Sequence, residues 1–249
     1  MVVTREQFYE SITLVLFVLL VDYFERSRPG FVVNRKQNLS LNIMAFLVVV
    51  VAGEAWKVLL LRGFDLLLFG KALSFPTLHG QSSMVKIFVG VVLADFCLYW
   101  VHRAMHRPAL WPTHIFHHSI EQLWWLSGSR TSVTHLLFFA VPQIFIGYYL
   151  LAFTPGEAGV ALSIGVVVNI WIHANLRVSL GPVEWLIITP NFHRVHHGAR
   201  GLSNKNLGFV FTLWDRIFGT YVDPRVKGKL FPLGYATTRG RILRMLIGF

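Results

Sequence analysis

The sequence predicts an all-α integral membrane protein, with about four to five transmembrane helices and a cytoplasmic helical cap that carries histidine clusters. Three observations carry that expectation. Hydrophobic residues make up 54% of the 249 positions and charged residues only 14%, against roughly 25% charged in an average globular domain. The mean hydropathy is +0.55. The apolar residues also gather into stretches at about 8–24, 40–61, 84–101, 133–153 and 158–176, and a spanning helix needs roughly 17–25 mainly apolar residues.

The first stretch has a short uncharged centre, Ser11 to Val21, closed by Asp22. It lacks a basic leader and a small-residue cleavage site, so it reads as an anchor rather than a signal peptide. The second, fourth and fifth are clear spans. The third contains Asp95, and an acid inside a membrane segment calls for a partner or a function. Thr154-Pro155-Gly156-Glu157 is a turn signal that joins the fourth and fifth into a helical hairpin. The chain reads as a single membrane-embedded domain. Residues 1–83 supply N-terminal helices, 84–221 the histidine-bearing core, and 222–249 a basic tail.

Charge orients the bundle. If all five stretches span, residues 25–39, 102–132 and 177–249 share one side and hold 18 of the 23 Lys and Arg. The positive-inside rule sets that side in the cytoplasm. The net charge of +11 is explained by this topology, and no nucleic-acid partner is expected. The compact length and lack of a C-terminal dilysine signal favour a bacterial inner membrane. The cap, basic and aromatic, suits a surface against anionic lipid heads. The lone Cys97 excludes an internal disulfide and reads as a buried, inert thiol.

Three histidine clusters stand on the basic side: His102 and His106; His114, His117 and His118; His193, His196 and His197. Two share the pattern H-x-x-H-H, of which chance gives about 0.02 copies in such a chain. Residues three and four apart share a helix face, so each cluster is expected to aim its rings one way. Pro108 and Pro112 break the helix between the first two clusters, and Pro190 marks a helix start before the third. His173, at the end of the fifth stretch, supplies a ninth imidazole.

Nine imidazoles are too many for one zinc ion, which takes four ligands. Two metals with four or five ligands each fit the count. Imidazole suits Zn, Cu, Fe and Ni, so the residues alone do not fix the metal. Asp95, Tyr99, His102 and His106 form one stripe at spacings 4, 3 and 4. This makes Asp95 and Tyr99 the candidate catalytic residues, with Asp95 expected to accept the far N–H of a metal-binding ring. His79 and His135 stand alone. For a lone His the structural reading is favoured; His135, near the start of the fourth stretch on the histidine side, could instead reach the clusters, and the residues alone leave that open. Arg130 is expected to bind a lipid head group or anchor at the interface, and the tryptophans to mark that interface.

The ordered set resembles the integral-membrane fatty acid hydroxylase/sterol desaturase superfamily. The likeness runs through Asp95-x3-Tyr99-Trp100-x-His102-Arg103-x2-His106 and Leu110-Trp111-x2-His114-x2-His117-His118-Ser119. It continues through Ile172-His173-Ala174-Asn175, Leu180-Gly181-Pro182 and Thr189-Pro190-x2-His193-Arg194-x-His196-His197-Gly198. It closes on Asn206-x-Gly208 and Trp214-Asp215-x2-Phe218-Gly219-Thr220-Tyr221. The resemblance implies two Fe ions held by the cluster histidines, O2 activation, an external electron donor, and hydroxylation or desaturation of a lipid C–H bond. Two positions depart from the pattern: Trp124 stands where many members have Asn, and Ser132 where many have a further His. Arg130-Thr131-Ser132-Val133 looks most like the alkylglycerol monooxygenase branch. The alternatives are a zinc-dependent lipid hydrolase, a transition-metal transporter and a non-catalytic scaffold. A transporter places ligands near the membrane midplane, whereas these clusters lie beyond helix ends, beside Arg103, Arg107 and Arg194.

Overall fold

Apolar runs too long for a soluble helix become the pillars of the molecule. The computed structural model of the chain describes residues 5–27, 35–70, 80–198, 202, 204–225, 233–235 and 239–249. His79, read from sequence as structural, lies outside them. The helices are α1 (Arg5–Arg26), α2 (Arg35–Leu67), α3 (Ser83–Met105), α4 (Trp111–His114), α5 (Val133–Ile144), α6 (Pro155–His173), α7 (Pro190–His196), α8 (Leu213–Ile217) and α9 (Ile242–Ile247). The described residues contain no strand, only two isolated bridges, Ile187 with Phe211 and Gly198 with Leu233.

Four helices are long and apolar enough to cross a membrane: Asn38–Leu67, Ser83–Met105, Val133–Leu150 and Pro155–His173. The all-α membrane architecture expected from the sequence is therefore present. Leu16, Leu20, Leu47, Val51, Phe88 and Leu162 point outward and are exposed. A soluble monomer rarely tolerates so much exposed apolar surface, and hydrocarbon is the environment that suits it. At 33 residues, α2 is about 50 Å long, well beyond the roughly 30 Å bilayer core. In α5, Pro142 cannot donate an N–H to the preceding turn. The span continues from there as a π-helical segment, Phe145–Leu150.

The two ends of the bundle are fastened differently. At one end Lys86 Nζ lies 2.6 Å from Glu157 Oε2. The same carboxylate accepts Thr154 N at 2.8 Å, and Thr154 Oγ1 accepts Glu157 N at 3.3 Å, a capping box at the start of α6. Tyr149 donates to Asp65 Oδ1 at 2.7 Å.

At the other end Glu25 Oε1 accepts Trp125 N at 3.0 Å and Asn175 N at 2.6 Å. Arg130 donates from Nε to Asn42 Oδ1 and from Nη2 to Asn38 Oδ1, each at 2.9 Å. Glu25, Asn38, Asn42, Trp125, Arg130 and Asn175 thus meet at one end. Helix α1, expected from sequence to be a fifth membrane segment, is not among the four helices of the described residues that are long and apolar enough to span.

Several expectations change. Arg130 is buried and bonded to α2, so it neither binds a head group nor sits at an interface. Trp124 is buried and Trp111 packs on His106 and His118, so these two tryptophans are core residues of the cap. Cys97 is half-buried rather than buried. The C-terminal tail is more than a lipid-facing surface: Met245 and Leu246 of α9 pack with Ala45 and Phe116 in a buried cluster.

Candidate metal centre

The histidines converge. His102 lies in the last turn of α3 and His106 caps that helix. His114 ends the short α4, while His117 and His118 lie on a 3-10 turn, His117–Ser119. His173 is the last residue of α6. His193 and His196 lie on α7, and His197 caps it. Pro190 starts α7, and Thr189 Oγ1 accepts Phe192 N at 3.4 Å as its N-cap.

These nine rings form two groups. His102, His106, His114, His118 and His196 make one; His117, His173, His193 and His197 make the other. In each group one ring nitrogen per residue lies within 4.8 Å of all the others. The Nε2 atoms of His102 and His114 are 2.9 Å apart. Those of His173 and His193, and of His193 and His197, are 3.1 Å apart.

The expectation that each cluster turns all its rings one way is corrected here. Neighbours split: His117 joins the four-ring group and His118 the five-ring group, and His197 and His196 do the same. On a tight turn adjacent side chains diverge, so each H-x-x-H-H serves both groups.

Five of the nine rings use Nδ1 outward, which leaves Nε2 for the centre. His102 Nδ1 donates to Leu207 O at 2.7 Å, His117 Nδ1 to Arg130 O at 3.2 Å, His173 Nδ1 to Asn169 O at 2.8 Å and His196 Nδ1 to Lys205 O at 3.0 Å. His114 Nδ1 lies 3.1 Å from His135 Nδ1. A carbonyl can only accept, so it fixes the proton on Nδ1 and bares the opposite lone pair.

Burial, reinforced by the neighbouring rings, holds His114, His117, His118, His193, His196 and His197 well below the usual imidazole range and His106 at about 2. The rings are neutral at pH 7, the form that ligates a metal.

The donor set fits a pair of metal ions. The Nε2 atoms of His106, His118 and His196 are buried without a hydrogen-bond partner among the described residues. An unsatisfied buried polar atom costs about 1–3 kcal/mol, and a coordinated ion would offset that cost at each.

Asp95 is placed differently from expectation. Its carboxylate accepts Val210 N at 2.8 Å, Phe211 N at 3.0 Å and Trp214 Nε1 at 2.8 Å rather than an imidazole N–H. Three N–H donors of the 210–214 segment claim the acid. Tyr99, fully buried, also hydrogen-bonds no imidazole among the described residues. Arg103 Nη1 donates to Tyr99 Oη at 3.0 Å, and Tyr99 Oη lies 2.9 Å from Thr220 Oγ1. Thr220 Oγ1 donates to Asp215 Oδ1 at 2.6 Å. Asp215 accepts Leu207 N and Gly208 N, both at 2.7 Å, and Leu207 O is the acceptor for His102. Both residues therefore hold the 207–211 loop that orients a ring. Asp215 was missed as a participant, although it lies in Trp214-Asp215. The carbonyls of Leu207, Arg130, Asn169 and Lys205 have no side-chain signature that a sequence could reveal.

An apolar cavity of about 400 Å³ runs between α2, α3, α5 and α6, within the usual size of a small-molecule site. Phe46, Val91, Leu98, Phe139 and Ile164 line its walls, and His102, His114, His117, His135, His173 and His193 its inner face. His135, alone in the sequence, therefore reaches the site.

The fatty acid hydroxylase family model matches residues 87–220, which contain every one of these histidines. The chain belongs to the fatty acid hydroxylase family. Among its relatives, the alkylglycerol monooxygenase of Xenopus tropicalis is 35% identical over 56% of this chain and 30% of its own length. The ornithine lipid hydroxylase of Rhizobium tropici is 33% identical over 56% of this chain and 42% of its own. A probable Delta(7)-sterol 5(6)-desaturase of Neurospora crassa is 27% identical over 84% of this chain and 58% of its own. The chain thus spans less than half the length of the first two relatives. No solved structure matches it.

Proposed function

We propose that this chain is a membrane di-iron oxygenase of a bacterial inner membrane that hydroxylates or desaturates an unactivated C–H bond of a lipid. One observation carries the reading: two groups of neutral imidazoles open directly onto an apolar cavity between membrane-spanning helices. The lipid-acting names of the relatives support it. The substrate class is a lipid with a long acyl, alkyl or sterol body.

His102, His106, His114, His118 and His196 would hold one iron; His117, His173, His193 and His197 would hold the other. Loaded with iron, the site would activate O2 and oxidise a lipid C–H bond, drawing electrons from an external donor. The chain's own residues do the rest. The cavity walls bury the tail, at about 0.8 kcal/mol per methylene, and exclude water from the ring nitrogens. The carbonyls of Leu207, Arg130, Asn169 and Lys205 fix four rings. Asp95 and Asp215 keep the 207–211 loop in place.

The basic residues on the histidine side support a cytoplasmic orientation. A reporter fused after residue 125 and one after residue 220 should report that same compartment.

Lipid mass spectrometry of expressing cells under labelled O2 tests the chemistry. The expected result is a labelled hydroxyl in a lipid, or an O2-dependent new double bond, lost in His118→Ala. Product formed without O2 in zinc-loaded protein would favour a metal-dependent lipid hydrolase instead.

A further inference from the structure

We propose that His135 is a positioning residue: its Nδ1 accepts the proton on His114 Nδ1 and so leaves His114 Nε2 bare toward the metal. The inference rests on the metal-centre reading above and extends it to a residue outside both ligand groups.

The argument starts from the outward bonds. Four of the five rings bonded through Nδ1 give that proton to a backbone carbonyl. His114 Nδ1 alone meets a side chain, His135 Nδ1, across 3.1 Å. A carbonyl dictates the tautomer. An imidazole does not, because a neutral ring has one donor and one acceptor nitrogen. If His135 donated through Nδ1, His114 would carry its own proton on Nε2, the atom 2.9 Å from His102 Nε2, and could not ligate there. The five-ring group therefore works only when His135 is the acceptor and keeps its proton on Nε2.

The ring is held for that task. His135 is buried. Its backbone N–H donates to Ser132 Oγ at 3.0 Å, the N-cap of α5. Its ring packs on Phe139 at a centroid distance of 4.5 Å. Its centroid lies 4.8 Å from that of His114. It belongs to neither of the two groups within which the ring nitrogens lie within 4.8 Å of one another, and the ring it bonds is that of His114.

The test uses the full chain, purified in detergent and loaded anaerobically with Fe(II). Iron per chain and the rate of iron loss to a chelator are measured for wild type, His135→Phe, His135→Leu and His135→Gln. Wild type should hold two ions. His135→Phe and His135→Leu should still hold two at saturating iron, with one released about 10–100-fold faster, the usual cost of losing a ligand's outer partner. His135→Gln, whose amide oxygen accepts as a carbonyl does, should return that rate to within a few-fold of wild type. Leu serves if Phe prevents folding.

Loss of a whole ion at saturating iron in either apolar variant would make His135 a ligand and overturn the proposal. Wild-type release in both, or a Gln variant as fast as Phe, would overturn it too. A wild-type chain that binds no metal pair would sink the metal-centre reading itself, which separates the two failures.

Discussion

The two ends of the helix bundle solve opposite problems. The end near Lys86 is closed by one ion pair, a capping box and a tyrosine. The end near His118 is a dense network of buried polar groups in which loop carbonyls, two aspartates and a buried arginine hold imidazoles in place. The first needs only to stop four helices from splaying. The second must orient nine rings, and it does so from short elements carrying His114, His117, His118, His193, His196 and His197 together with the ends of α3 and α6 carrying His102, His106 and His173. The long helices deliver residues to the site; the segments around Leu207, Arg130 and Lys205, with the last turn of α6, fix how four of the rings point.

Substitutions at the two ends should therefore separate metal binding from stability. The largest effect is expected in the four-ring group, which has no ligand to spare. His197→Ala should lower bound iron from about two to about one per chain and abolish turnover. His106→Ala, taken from the five-ring group, should keep more of its metal, as elemental analysis of the purified protein would reveal. Equal losses in both would erase the distinction between the groups.

Gly128→Ala comes next. A Cβ there would lie 2.6 Å from Asn169 Nδ2 and 2.7 Å from His173 Nδ1. Such overpacking costs about 1–3 kcal/mol and pushes on the bond that orients His173. Reduced iron affinity at the four-ring group should accompany any fall in melting temperature. A stability loss with normal affinity would mean the loop relaxes away from the ring.

Asp95→Asn should weaken turnover without erasing it. The amide keeps one acceptor oxygen for Val210 N, Phe211 N and Trp214 Nε1 but sets an NH2 against the remaining donors, a penalty of about 1–3 kcal/mol. Turnover and iron release measured side by side would check this; full wild-type values for both would remove the acid from the positioning network.

The smallest effect on the centre is expected from Lys86→Met. Breaking its bond to Glu157 should destabilise the bundle by about 1.5–3 kcal/mol, read as a lower denaturation midpoint, while iron content stays at wild type. A drop in iron here would mean the two ends are coupled more tightly than their separate fastenings imply.

The spans were legible in the sequence because a bilayer imposes one strong rule, a long apolar run. The stretch at 158–176 began three residues early, at Pro155, because Thr154 and Glu157 form the cap. The nine rings were legible because metal chemistry needs one residue type in quantity. Their sorting was not. Nothing in H-x-x-H-H says that neighbouring histidines part company, since that follows from the tight turn at His117–Ser119 and from His197 capping α7. The partners of the outward nitrogens stayed hidden for another reason. Four are main-chain carbonyls, available at every position, and only the tertiary path of the chain selects which ones are used. Asp95, expected to accept an imidazole N–H, instead accepts two backbone amides and the Trp214 indole, partners that a residue pattern does not reveal. His135 looked unremarkable alone and gained meaning only from the ring opposite it.

The division of neighbouring histidines sets a length scale. The ring centroids of His117 and His118 are 5.7 Å apart, and those of His196 and His197 are 5.5 Å apart. Two independent peptide units thus span the gap between the groups, like a pair of rigid struts of matched length. Changes in bilayer thickness can tilt helices at modest cost, but they cannot stretch a covalent backbone whose successive Cα atoms stay about 3.8 Å apart. If each group takes a metal ion, their separation would be tied to these two short covalent links more than to helix tilt, and one residue inserted between either pair is expected to disturb both groups.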